Sequence, residues 1–210
     1  MIKESIVAIL VIGFIALWCL PYHTGHPKKS GTAEAINNAK QIGISLFGFE
    51  DQYGSYPSDS TTSIVATDYP NHGFDLSGTS SNNAFRQLLA SGVEPSEQMF
   101  YAKIKKSKRP DGDISPGKAL DKGEVGFSYI SGLTSKDDPL TPIVLTPLIP
   151  GTTKFDPEPF KGKAIILRIN QSALTYDIHK DGHVYDKDID ILSAKHPMWN
   201  GKAPDIRYPE

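Results

Sequence analysis

The sequence predicts an α+β fold in which a long N-terminal helix, apolar at first and amphipathic after, packs on an antiparallel β-sheet. Three observations predict it. Ser5–Leu20 (SIVAILVIGFIALWCL) is a run of sixteen residues without a charge. From Ala33 to about Tyr53 the apolar residues recur at spacings of three and four, the period of a helix with one buried stripe. Beyond residue 125, short apolar or alternating runs separated by turn residues read as strands. Helices followed by an antiparallel meander form the pattern of a helix layer on a sheet.

The first run sets the organisation of the chain. A sixteen-residue helix covers about 24 Å, a little less than a hydrocarbon core of roughly 30 Å, and Ile2, Trp18 and Tyr22 extend it into the interfaces. No small-x-small cleavage site follows it, so a retained single-pass transmembrane segment is expected rather than a cleaved signal. This divides the chain into a membrane part at 1–21, a polar joint at 22–31 and a soluble domain at 32–210. Lys28, Lys29 and Lys40 follow the run and only Lys3 precedes it; counted alone, these charges place the N-terminus outside. The single cysteine, Cys19, lies inside the run, so no intrachain disulfide can form, and bulky Trp18 before it argues against lipidation.

Pro21 ends or kinks the first segment, and Thr32 can cap the next helix. In the amphipathic helix, 32–53, the stripe is Ile36, Ala39, Ile42, Leu46, Phe49 and Tyr53. Ile44 and Phe47 lie off it; they belong either to a wide core face or to a patch left for a neighbour. Gly54 stops this helix and Tyr56-Pro57 turns the chain away. Thr61–Thr79 reads as polar and irregular, with one short apolar piece, Ile64–Ala66. Asn82–Ser91 is a second helix capped by Ser80 or Ser81 and ended by Gly92, and Pro95–Tyr101 can add a turn. The sheet is expected mainly within 125–185: Val125–Leu133, Ile143–Ile149 broken by Pro147, Ala164–Asn170, and Ala173–Ile178 after a turn at Gln171-Ser172. Asp181-Gly182 then favours a second tight turn before His183–Tyr185. Eight prolines between 110 and 159 imply long connections.

Composition narrows the function. With 39% hydrophobic and 22% charged residues, the chain is long enough for one domain with a real core. A net charge of −2 leaves no basic field for nucleic acid, and Lys103, Lys105, Lys106, Lys108 and Arg109 read as a solvated face. There is no nucleophile elbow, phosphate loop or Cys/His pair, so no catalytic residue and no cofactor is assigned and no enzyme is expected. Asp186-x-Asp188-x-Asp190 offers three carboxylates as a weak calcium candidate, but lacks the glycine and the closing glutamate of a calcium loop. His179 and His183 flank the Asp181-Gly182 turn in a spacing poorly suited to zinc.

Four features, read together, resemble the type IV pilin and type II secretion pseudopilin family. Glu4 heads the apolar run, and Pro21 follows seventeen residues later, where family members carry a helix-kinking proline. An amphipathic helix comes next, and Phe49-Glu50-Asp51-Gln52-Tyr53-Gly54-Ser55-Tyr56-Pro57 is similar to the family's Y-x-x-D-N-G-x-Y-P helix ending. Asn38–Leu46 (NAKQIGISL) and Asp181-Gly182-His183-Val184 are similar to stretches of a subgroup common in planctomycete-like bacteria. Residues from about 60 to 160 match nothing specific. The pattern departs at its start: Met1 stands about where the second residue of a processed subunit falls, and Lys3 occupies a normally apolar position. Whether a leader is cleaved is therefore left open.

The resemblance implies a pilin-like fold and a structural subunit of a pilus or pseudopilus-like envelope filament. It implies self-association with other pilin-like subunits through the apolar helix, and an inner-membrane anchor with the soluble domain periplasmic or extracellular. In the family, a carboxylate in the position of Glu4 is thought to pair with the N-terminal ammonium of a neighbouring subunit; otherwise Glu4 sits among headgroups and complements the helix dipole. Glu4, Pro21, Ile44 and Phe47 are thus the expected assembly residues, with the lipid bilayer as a further partner. The alternative is a membrane-anchored periplasmic or surface binding domain that never polymerises.

Overall fold

The computed structural model describes residues 31–210. The expectations placed on Glu4, the Ser5–Leu20 segment, Cys19, Pro21 and residues 22–30 of the joint lie outside these residues.

Helix α1, Gly31–Tyr53, carries the amphipathic pattern into three dimensions. Ala35, Ala39, Ile42, Leu46 and Phe49 are fully buried against the sheet, while Asn37, Lys40, Gln41 and Asp51 face outward. Gly43 lies in the contact because a Cβ there would overlap the Gln171 side chain of the sheet's last hairpin. Gly54 closes the helix in the left-handed conformation at φ 77°, its N–H bonded to the Glu50 carbonyl at 2.6 Å. Two shorter helices follow. In α2, Asp59–Asp68, the Ser58 N–H donates to the Thr61 hydroxyl at 2.9 Å. In α3, Ser81–Ala90, Ser80 is the N-cap and accepts from the Asn83 N–H at 3.1 Å. Buried Gln87 of α3 ties the pair together: it accepts from Thr61 at 2.6 Å and donates to the Ser58 carbonyl at 3.2 Å.

The sheet has five strands: β1 Ser128–Ser131, β2 Pro142–Thr146, β3 Lys163–Arg168, β4 Ala173–Asp177 and, near the C-terminus, Asp205–Arg207. A separate two-stranded ribbon, β5 Tyr185–Asp186 with β6 Ile189–Asp190, precedes that last strand, which is therefore β7. The order in the large sheet is β4-β3-β2-β1-β7 with antiparallel pairing throughout. β3 alternates faces: Ile165 and Leu167 point toward the helices, Ala164 and Ile166 away from them. Both faces are covered. The helices, with Phe85 and Phe100 stacked at 4.8 Å, cover the first. The second is covered by the irregular C-terminal segment through Val184, Ile191, Leu192 and Trp199, whose indole N–H donates to the Ile191 carbonyl at 2.7 Å. Burial on two sides is why β2 and β3 read as near-continuous apolar runs.

Several expectations are corrected. The pilin-like architecture with one long helix in an apolar and an amphipathic part is not what the described residues form. They form three helices of 23, 10 and 10 residues over a five-stranded antiparallel sheet. None of these helices is long and apolar enough to cross a membrane. The reason lies in α1: its apolar residues are confined to a stripe and interrupted by Asn37, Asn38, Lys40 and Gln41. The region read as irregular holds α2. The Asp181-Gly182 turn does not return the chain to the main sheet, because Tyr185–Asp186 pairs with Ile189–Asp190 instead. The fifth strand comes from Asp205–Arg207, beyond the 125–185 span.

Candidate functional site

The outer side of α1 is where the structure brings expected assembly residues together. Ile44 and Phe47, one turn apart, are 69% and 37% exposed, so neither belongs to a wide core face. Phe47 lies edge-on against the buried Tyr56 ring at 6.0 Å, and Asp51 continues the line at the next turn. The Tyr56 hydroxyl is buried without a hydrogen-bond partner among the described residues. Burial pushes its ionisation well above the ordinary tyrosine range, with nearby Glu50 and Asp137 adding to the shift. Glu50 itself is engaged, accepting from the Ser135 N–H at 2.9 Å. The patch is thus an apolar pair on a rigid helix, edged by acids, with no nucleophile or base directed at it.

The acidic segment near the C-terminus does not gather into a cation site. Lys187 and Asp188, both at positive φ, form the two-residue tip of the β5–β6 ribbon. That tip spreads the aspartates apart. Asp186 Oδ2 lies 3.7 Å from His196 Nε2, and Asp190 Oδ2 lies 2.8 Å from His183 Nδ1, off the line a hydrogen bond needs. His179 meets the Tyr185 ring at 4.8 Å rather than converging with His183 on one point. Among the described residues, no three His, Cys, Asp or Glu side chains are placed to hold a metal ion.

Two buried carboxylates escape sequence reasoning. Glu97 is fully buried and accepts from the Leu120 N–H at 2.5 Å and the Gly112 N–H at 3.1 Å. Desolvation raises its pKa above 4.5 against the pull of those two bonds. Glu124, 1% exposed, is paired with Lys108 at 3.4 Å. Both fasten loops to the core: Glu97 through Leu120 and Gly112, and Glu124 by accepting from the Asp121 N–H at 2.7 Å. A glutamate two residues past Pro95 or next to Gly123 carries no local mark of burial, so nothing in the sequence separates them from solvated neighbours.

The basic run, read from sequence as one solvated face, is divided. Arg109 pairs with Glu34 at 2.8 Å and lies over the Tyr101 ring at 4.7 Å. Lys108 is held by Glu124 and, at 3.8 Å, by Asp121. Lys105 and Lys106 have no ion pair among the described residues. Compared with protein-family profiles, curated proteins and solved structures, the chain matches none.

Proposed function

We propose that this chain is a structural subunit of a type IV pilus or type II secretion pseudopilus-like envelope filament. The apolar Ser5–Leu20 segment anchors it in the inner membrane, its domain lies on the periplasmic or outer side, and it associates with copies of itself or related subunits. The observation that carries the reading is the exposed apolar pair Ile44 and Phe47 on α1, the helix that follows the anchor in sequence. Scattered single apolar residues on a surface are ordinary, but two a turn apart on one helix face form a ready lateral contact. The spacing from Glu4 through Pro21 to Pro57 supports it from the sequence side. A contact between different patches of successive copies is heterologous, and such contacts propagate into helical assemblies.

The test is photocrosslinking in membranes of cells making the full chain, with a photoreactive residue at position 47. A ladder of multimers is expected, weakened by Ile44→Asp and by Glu4→Ala. Monomers alone, with Glu4→Ala harmless, would replace this reading with a tethered binding domain that does not polymerise.

A further inference from the structure

At the end of the domain where α1 begins, two tight turns face each other across an open groove of about 650 Å³. One turn is Ile104–Ser107, closed by the Ser107 N–H on the Ile104 carbonyl at 3.2 Å, with Lys105 and Lys106 at its tip. The other is Ile149–Thr152, closed in the same way at 3.1 Å and steadied by the Tyr208 hydroxyl on the Thr152 carbonyl at 2.8 Å. Between them the floor is apolar, with Ile104, Val125 and Leu148, and Ile149 stands 41% exposed at the lip. Lys122 completes the rim on a loop tied to the segment after the first turn by the Lys108 N–H on the Gly123 carbonyl at 2.9 Å.

The side chains of this groove carry a net positive charge. Lys105, Lys106 and Lys122 have no ion pair among the described residues. Two acids also line it: Asp156 keeps its negative charge, while Glu210 is offset by Arg86. Asp156 accepts from the Glu158 N–H at 2.9 Å, and Glu210 accepts from Ser80 at 2.7 Å with Arg86 at 3.7 Å. Three free ammonium groups around an exposed apolar lip match an anionic bilayer surface, where headgroups meet the lysines and the lip enters the acyl boundary.

The position of the groove argues for the same occupant. A side-chain carbon at Gly31, the first residue of α1, would touch the Lys103 Cβ at 3.9 Å, one residue before the groove wall. Residues 21–30 join this end to the apolar segment, and ten residues reach at most about 36 Å when fully extended. Gly31 therefore stays within that reach of the end of the segment, which leaves the neighbouring groove wall free to meet the bilayer surface. We infer that the Lys105–Lys106–Lys122 groove is a docking surface for anionic lipid headgroups, seating the domain on the membrane from which its chain emerges. The inference rests on the proposed membrane anchor for its orientation.

The test uses the full chain carrying Cys19→Ser and Ile149→Cys, labelled at 149 with an environment-sensitive fluorophore and reconstituted into vesicles. One set is phosphatidylcholine; the other contains about one third phosphatidylglycerol. Expected are a blue shift and quenching by brominated lipid in the second set alone, both reversed by about 0.5 M salt. Changing all three lysines to glutamine should lower the docked-to-undocked ratio on the order of a hundredfold, roughly fivefold for each. Equal signals in the two lipids, or shielding unaffected by salt and by the glutamines, overturn the docking surface while leaving the anchor intact. Shielding that rises with protein concentration in uncharged micelles also overturns it and assigns the groove to an acidic protein surface. Chain stripped from vesicles by alkaline carbonate overturns the anchor and the docking together.

Discussion

Glu97 lies fully buried between the loop at 111–120 and the short turn Gln98–Phe100, and its carboxyl is the acceptor on which that loop closes. Because burial raises its pKa above 4.5, the native chain holds this proton more tightly than the unfolded chain does. The stability it contributes is complete below about pH 4.5 and is lost as pH climbs through the raised native value. Glu97→Gln keeps one acceptor oxygen, enough for the Leu120 N–H, turns an amide nitrogen toward the Gly112 N–H, and cannot ionise; its loss from that second contact does not vary with pH. Urea midpoints measured from pH 4.5 to neutrality should therefore fall less in the variant than in the parent chain. Parallel curves would show that the carboxyl does not titrate differently on folding. The same position shows where residue-level reading ends. The sequence marks Glu97 as one acid among loop residues, and its burial depends on Leu120 and Gly112, 23 and 15 positions away.

At the scale of elements, local chemistry foretold what local chemistry determines. The Gln171-Ser172 turn joins β3 to β4 as its residues require, with Gln171 at φ 65° and its N–H on the Arg168 carbonyl. Ser80 and Gly54 sit at the helix ends their types favour. By contrast, α2 went unread because DSTTSIVATD is poor in strong helix formers and only Thr61 and Val65 are buried. Its support comes from Gln87 on another helix, which no window of α2 contains. β7 is only three residues long and pairs with β1 across a sequence separation of more than seventy, so it too carries no local signature. Two glycines separate conformation from space. Gly54 has open room around it, and Gly54→Ala should lose about 1 kcal/mol from the left-handed backbone alone. A Cβ on Gly126 would come within 2.5 Å of the Ala102 backbone N and O, where the Gly126 N–H bonds the Phe100 carbonyl. Gly126→Ala should cost more, about 1–3 kcal/mol or beyond, by forcing the 100–102 segment off the sheet. Urea denaturation of the two variants gives the order, and an equal loss would remove the steric argument.

For the molecule as a whole, the two sides of α1 serve different ends. Phe49, fully buried, faces the sheet, and Phe49→Ala should lower stability by about 3–5 kcal/mol. Ile44→Asp, on the exposed side, should leave the stability of the isolated subunit nearly unchanged in urea, within about 0.5 kcal/mol, while weakening the ladder of crosslinked multimers. A large loss of stability in Ile44→Asp would place that side chain in the subunit's own core. The α+β layering could be read from the order of elements, whereas the C-terminal cover on the second face could not, since its contacts run through irregular backbone around Trp199. That cover has a geometric consequence. With helices on the front and the C-terminal wrap on the back, the sheet offers no broad platform to a visitor. Among the described residues, the surfaces left at its perimeter include the outer margin of β4, the outward flank of α1 and the cleft between the two turns. Neighbours can then be gathered around the domain along several directions without any of them opening it.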